Sequence, residues 1–272
     1  MKNILIPFDY KIQDEYALDF AAKIARQSNS FLHLLTFEES IYEETGWANE
    51  NNATVLATDH AINKRGAFLE KIRFLDAAYI KTISLPAFDI TGINVLVSKL
   101  KIDLLVAGQH NKNTLNELVF GNTTEKLLRN ISCPIITVKE KFKKEKINNI
   151  VFASDFEEEI KQPFFKLLHI AASLNAKAHL LYVNTPDDFK NTPYIRQLLE
   201  SFSEDYKKDT FTVNSYNAHL VDEGILDFSH EMSADLIGII THEKTRFSLM
   251  SSSMTEKISS KSDVPVLAIS II

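Results

Sequence analysis

The chain has 272 residues, 45% of them hydrophobic and 24% charged, which is an ordinary globular composition and enough for one large domain or two domains of about 130 residues. The formal net charge of -6 argues against a nucleic-acid partner, because a phosphate backbone binds basic surfaces. One cysteine, Cys133, excludes an internal disulfide and fits a reducing compartment.

The start of the chain and its hydropathy indicate where the protein works. The first strand is predicted to begin at once, over residues 2–7, which leaves no room for a signal peptide. No apolar run approaches the roughly 18 residues that a membrane span needs. We therefore expect a soluble, cytoplasmic protein with no membrane partner.

In the first half of the chain, short apolar runs alternate with amphipathic segments, a pattern typical of parallel strands joined by crossover helices. Strands buried on both faces are continuously apolar, as residues 104–107 are. The pattern predicts strands near 3–9, 31–37, 79–85, 103–108 and 134–138. It predicts helices near 13–28, 53–75, 91–101 and 116–130.

The second half of the chain repeats the first, in order and over its whole length. The clearest matches pair residues 3–9 with 149–155, 29–35 with 175–181, and 124–138 with 255–269. The repeat predicts strands near 148–154, 178–183, 214–221, 235–240 and 265–271. It predicts helices near 162–174, 192–208, 225–233 and 252–260.

A charged stretch, residues 139–146, separates the two copies and has almost no apolar surface to bury. It is a natural linker, although the end of a solvated helix would look the same. We expect a first domain over residues 1–140 and a second domain over residues 147–272. These ranges define the first and second repeat below.

In a doubly wound sheet, ligands bind at the carboxyl ends of the strands, where the strand order reverses. That rule brings together Asp9, residues 36–37, residues 108–111 and residues 121–124. A glycine beside hydroxyl and amide side chains at a helix start suits a phosphate, because free backbone N–H groups face the ligand. Simple helix capping by these residues is the alternative.

These residues resemble the universal stress protein family. Its ATP-binding members carry a glycine, two residues, a glycine, nine residues, a glycine and then serine or threonine, plus an aspartate that ends the first strand. Here Gly108 and Gly121 occupy the first and third glycine positions at that spacing, Asn111 replaces the second glycine, and Asn122 stands where serine or threonine is usual, followed by Thr123.

The resemblance implies two tandem Rossmann-like domains of the adenine nucleotide alpha hydrolase type, each a five-stranded parallel sheet flanked by helices. It also implies ATP or another adenine nucleotide, with Mg²⁺, in the first domain. By motif, Asp9 would hold the ribose, the two glycines would let the backbone approach the phosphates, and Asn122 and Thr123 would bind phosphate oxygens. The implied set of binding residues is Pro7, Phe8, Asp9, Gly108, His110, Asn111, Gly121, Asn122 and Thr123.

The second repeat departs further from this pattern. Ile240 and Glu243 fall at the first two glycine positions, and a carboxylate there would repel a triphosphate. We expect this repeat not to bind ATP. The resemblance also implies that residues 134–138 pair with residues 265–271 in an internal pseudo-dimer, and a homodimer remains open.

For function, the resemblance implies a stress-response binding and regulatory protein. The alternatives are a slow ATPase or autophosphorylating enzyme, and a scaffold that has lost nucleotide binding. An enzyme is disfavoured because phosphoryl transfer needs metal-holding carboxylates, and only Asp9 and His110 lie near the loop. His33 and His179 are expected to be packed and hydrogen-bonded, and Cys133 to be buried.

Overall fold

The computed structural model describes residues 1–9, 11–37, 80–109, 123–156, 161–203, 211–241 and 252–270. The helix predicted over residues 53–75 lies outside these ranges. The longest described helix has 17 residues. Within the described ranges, no helix combines the length and hydropathy needed to cross a membrane.

The described elements of the first repeat match the predicted alternation of strands and helices. They are β1 Asn3–Phe8, α1 Ile12–Ser28, β2 Phe31–Phe37, β3 Ile80–Leu85, α2 Ile90–Lys99, β4 Leu104–Gly108, α3 Thr123–Asn130 and β5 Ile135–Val138. Strands β4 and β5 are buried along their whole length, as their continuous apolar sequence predicts. Helix α1 ends at Asn29, which adopts a left-handed conformation at φ 54°, one that asparagine tolerates better than most residues.

The second repeat follows the same order of elements. They are β6 Asn149–Ala153, α4 Lys161–Ser173, β7 Lys177–Asn184, a 3-10 turn Pro186–Asp188, α5 Thr192–Ser203, β8 Phe211–Asn217, α6 Val221–Glu231, β9 Leu236–Thr241, α7 Ser252–Lys261 and β10 Val266–Ser270. Two predictions, the strand at 214–221 and the helix at 225–233, were placed two to four residues too late. Strand β8 begins at the buried Phe211 because pairing with β7 starts there, opposite Ala178.

The ten described strands form one sheet in the order β3-β2-β1-β4-β5-β10-β9-β6-β7-β8. Each half is five-stranded and parallel, which confirms the predicted fold class. The halves join where β5 and β10 pair antiparallel, with Ile136 opposite Leu267. Beside this seam, Thr137 Oγ1 lies 3.1 Å from Ser259 Oγ, and both side chains are buried. The two-domain architecture therefore fits an internal pseudo-dimer.

The connection between the repeats is packed onto both of them. Phe142 is 7% exposed, and its ring centroid lies 5.1 Å from that of Phe20 in α1. The buried Lys23 donates to the carbonyls of Phe142 and Lys144, at 2.9 and 3.1 Å. Lys144 in turn forms an ion pair with the buried Asp235 of the second repeat. The expectation of a stretch without buried apolar surface is therefore wrong at Phe142, where the chain joins a core shared by both repeats.

Candidate functional site

A cavity opens at the carboxyl ends of β1 and β4, where the strand order reverses from β2-β1 to β4-β5. Its empty volume is about 300 Å³, part of it open to solvent. The lining combines an apolar floor with polar groups at the strand ends. The lining residues are Pro7, Phe8, Asp9, Asp14, Phe37, Ala107, Gly108, Thr124 and Leu127.

The turn from β1 into α1 is shaped by Asp14, which is 2% exposed. Its Oδ2 accepts the backbone N–H of Asp9 at 2.9 Å and that of Lys11 at 3.3 Å. Backbone N–H groups at a helix start have no partner within the helix, so a carboxylate in the first turn satisfies them. Asp14 therefore fixes the backbone that carries Asp9, although sequence reasoning did not select it. The available signal was an acidic residue three positions into the first helix.

Asp9 follows β1 directly, at the mouth of the cavity. Its Oδ2 lies 3.3 Å from Lys11 Nζ, and the two side chains are 34% and 41% exposed. An ion pair with this exposure contributes little to stability, because water competes for both charges. The Asp9 carboxylate is thus held near the cavity by a partner that exchanges readily.

Gly108, the last residue of β4, lies against the start of α1. A Cβ atom there would lie 2.6 Å from the Gln13 carbonyl carbon and 2.8 Å from Asp14 N, both backbone atoms. From α3, Thr124 Oγ1 donates a 2.8 Å hydrogen bond to the Gly108 carbonyl. This glycine is therefore required for packing within the protein, independently of any ligand.

Four of the predicted binding residues line the cavity together, namely Pro7, Phe8, Asp9 and Gly108. Thr123 begins α3, next to the lining residue Thr124. The remaining predicted residues, His110, Asn111, Gly121 and Asn122, lie outside the described residues.

The equivalent corner of the second repeat is built differently. Ile240, fully buried, stands in the place of Gly108. Thr255, which corresponds to Thr124, is 1% exposed, and its hydroxyl has no hydrogen-bond partner among the residues that the structure describes. After β6, Phe156 turns into the core at φ 60° and packs against Phe202, with ring centroids 5.1 Å apart. Apart from Asp155, the second repeat therefore keeps few of the groups that line the first cavity.

The two strand histidines lie at the other end of the sheet. His33 Nε2 is 3.1 Å from Asn3 Oδ1, and His179 Nε2 is 3.3 Å from Asn149 Oδ1. Burial lowers the pKa of both histidines, and a nearby lysine lowers each further. Both are buried and hydrogen-bonded, as the sequence predicted, and the lowered pKa favours their neutral form.

Other reactive groups are scarce in the part of the chain that the structure describes. Cys133 is buried, and burial raises its pKa to about 12, so it remains a thiol at neutral pH. Within the same residues, no three His, Cys, Asp or Glu side chains cluster as a metal site would require. The cavity beside β1 and β4 is accordingly the candidate site.

Both repeats match the model of the Universal stress protein family, over residues 1–139 and 146–270. A comparison with curated proteins gives no significant match.

Two solved structures share the fold over almost the whole chain. A universal stress protein from Archaeoglobus fulgidus DSM 4304 has a TM-score of 0.70 and 16% identity, covering 98% of this chain and 96% of its own. A putative universal stress protein from Pseudomonas aeruginosa UCBPP-PA14 has a TM-score of 0.65 and 17% identity, covering 99% and 93%. A third structure, a universal stress protein in complex with cAMP, covers 47% of this chain and 99% of its own at 16% identity, with a TM-score of 0.37.

Proposed function

The chain belongs to the universal stress protein family, and we propose that its first repeat binds an adenine nucleotide and that occupancy of this site is the protein's regulatory signal. The observation that carries the proposal is the cavity at the carboxyl ends of β1 and β4. It lies at the switch point where doubly wound sheets bind ligands, and Pro7, Phe8, Asp9 and Gly108 line it.

The chemistry of the lining supports a nucleoside. Asp9 presents a partly exposed carboxylate, which accepts hydrogen bonds, as two ribose hydroxyls would require. Phe8 and Phe37 give the lining the apolar character that a purine needs.

The proposal assigns the phosphates to Gly121, Asn122 and Thr123, beside the start of α3. Backbone N–H groups at a helix start suit phosphate oxygens. Mg²⁺ would come with the nucleotide, because this ion is commonly held by substrate phosphates together with one or two carboxylates. When bound, it would neutralise part of the phosphate charge near Asp9.

The proposal is restricted to one site per chain. The second repeat has Ile240 in place of Gly108 and turns Phe156 into its core. Of the two carboxylates in the described lining, Asp14 accepts backbone N–H groups and Asp9 pairs with Lys11, so we propose binding rather than turnover. A scaffold without nucleotide binding is the alternative that the test must separate.

Calorimetric titration of ATP with magnesium tests the proposal. We expect saturable binding to the unmodified protein, weakened about tenfold or more by Asp9→Ala, since a hydrogen bond to a charged group contributes about 1.5 to 3 kcal/mol. Asp155→Ala, the same change at the equivalent position of the second repeat, is the matched control and should leave the affinity within about twofold.

Circular dichroism and thermal unfolding of both variants would confirm that they fold. Absence of binding heat and of thermal stabilisation at millimolar ATP would refute the proposal and favour the scaffold. Equal losses from the two substitutions would show that the site is not specific to the first repeat.

A further inference from the structure

Among the described residues that line the candidate site, the charged ones are both acidic. Asp9 and Asp14 both line the cavity. Asp14 is occupied by backbone N–H groups, whereas Asp9 faces the ammonium of Lys11 at 3.3 Å. A phosphorylated ligand would be repelled by these carboxylates unless a cation offset them. Lys11, which pairs with Asp9, is placed to supply positive charge in addition to the Mg²⁺ that would come with the nucleotide.

The backbone of Lys11 is held by a hydrogen bond, whereas its side chain is partly exposed. Its backbone N–H donates to Asp14 Oδ2 at 3.3 Å, and the same oxygen accepts the backbone N–H of the lining residue Asp9. Its side chain is 41% exposed, and among the described residues its ammonium pairs with the partly exposed Asp9. Exposed ion pairs are weak and the lysine stem is flexible, so the ammonium can change partner at little cost.

The second repeat carries the opposite charge at the same position. The match of residues 3–9 with residues 149–155 aligns Lys11 with Glu157. The first repeat therefore reads Asp-Tyr-Lys where the second reads Asp-Phe-Glu. The lysine occurs in the repeat that also keeps the glycine spacing of the phosphate loop, and the glutamate occurs in the repeat that has lost it.

We propose that Lys11 is the specificity residue of the candidate site, which selects phosphorylated adenine ligands over adenosine. A ribose hydroxyl bonded to Asp9 competes with Lys11 for the same carboxylate. The ammonium then turns from Asp9 to an oxygen of the ligand's phosphates. Adenosine offers no such oxygen, so it must displace Lys11 without compensation. This inference rests on the proposed nucleotide site and adds the residue that sets its preference.

The test is calorimetric titration of adenosine and of ATP with magnesium into the unmodified protein and into Lys11→Gln. We expect ATP to bind at least about tenfold more tightly than adenosine. In Lys11→Gln, the ATP affinity should fall about three- to tenfold, while adenosine binds equally or more tightly. The difference between proteins should shrink at high salt, because the contact is partly exposed to solvent.

Two further variants complete the design. Lys99→Gln removes one charge from the exposed last turn of α2 and is the control, expected to leave both affinities unchanged. Lys11→Glu introduces the charge of the second repeat and should abolish the preference for ATP. Thermal unfolding of each variant would confirm the fold.

Each outcome decides a separate point. If ATP binds but Lys11→Gln leaves the ratio of the two affinities unchanged, the inference is wrong and the nucleotide site stands. If the variant binds both ligands more tightly by the same factor, Lys11 only masks Asp9, and the inference is again wrong. If the unmodified protein binds neither ligand, both the nucleotide site and the role of Lys11 are refuted.

Discussion

The same substitution at equivalent positions of the two repeats should change stability in opposite directions. Thr124 and Thr255 are 4% and 1% exposed, and each lies in the helix that precedes the last strand of its repeat. Thr124 Oγ1 donates to the Gly108 carbonyl at 2.8 Å, whereas Thr255 Oγ1 has no hydrogen-bond partner within the described ranges. Valine keeps the shape of threonine and removes only the hydroxyl, so the comparison isolates the hydrogen bond.

Thr124→Val should lower the free energy of unfolding by about 1 to 2 kcal/mol, because it removes a buried hydrogen bond and leaves a carbonyl underused. Thr255→Val should be neutral or raise it by up to about 1 kcal/mol, because an unpaired buried hydroxyl is costly. At about 2 to 4 °C per kcal/mol for a chain of this size, the two variants should differ in Tm by several degrees.

Urea unfolding followed by circular dichroism, with thermal scans alongside, measures both effects. Equal destabilisation by Thr255→Val and Thr124→Val would contradict the expected difference between the two hydroxyls. That result would mean that the Thr255 hydroxyl is satisfied, for example by a buried water.

Three further predictions concern packing and pH. Gly108→Ala should lower the free energy of unfolding in urea by about 1 to 3 kcal/mol or more, because its Cβ would overlap the α1 backbone. Gly92→Ala in α2 should lower it less, since the closest contact of its Cβ is a side-chain oxygen at 3.1 Å and helices favour alanine. The pKa values of His33 and His179 are lowered in the folded protein, so their contribution to stability should be full above about pH 6.5 and fall as the pH drops below it. Replacing both histidines by glutamine should make the urea midpoint depend less on pH between about pH 7.5 and pH 5. Burial raises the pKa of Asp222, but hydrogen bonds from two lysines of α7 outweigh burial, and the net pKa is lowered. Asp222→Asn should therefore reduce Tm at neutral pH. The reduction should shrink as the pH falls below about 3.9, the unfolded pKa, and through the lower folded pKa.

Much of the fold was predictable because the repeat supplied two independent readings of each element. Continuous apolar runs such as residues 104–107 mark strands buried on both faces, and these were placed correctly. Strand β8 was misplaced because it is an edge strand, with alternating exposure along its length. Its start depends on pairing with β7, a long-range contact that a local pattern does not encode.

The candidate site was predictable in part for the same reason. Asp9 and Gly108 follow from the rule that ligands bind where the strand order reverses. Asp14 was missed because its role depends on the geometry of the turn between β1 and α1. The packing of Phe142, and the carbonyls that Lys23 binds, were also missed, since these contacts join residues about 120 positions apart.

We propose that the first of the two repeats holds an adenine nucleotide and that the second does not. Equilibrium dialysis against labelled ATP with magnesium counts the nucleotides bound by each chain at saturation. We expect one bound nucleotide per chain. Two bound nucleotides per chain would contradict the proposal that only the first repeat binds. The absence of bound nucleotide would contradict the nucleotide site itself.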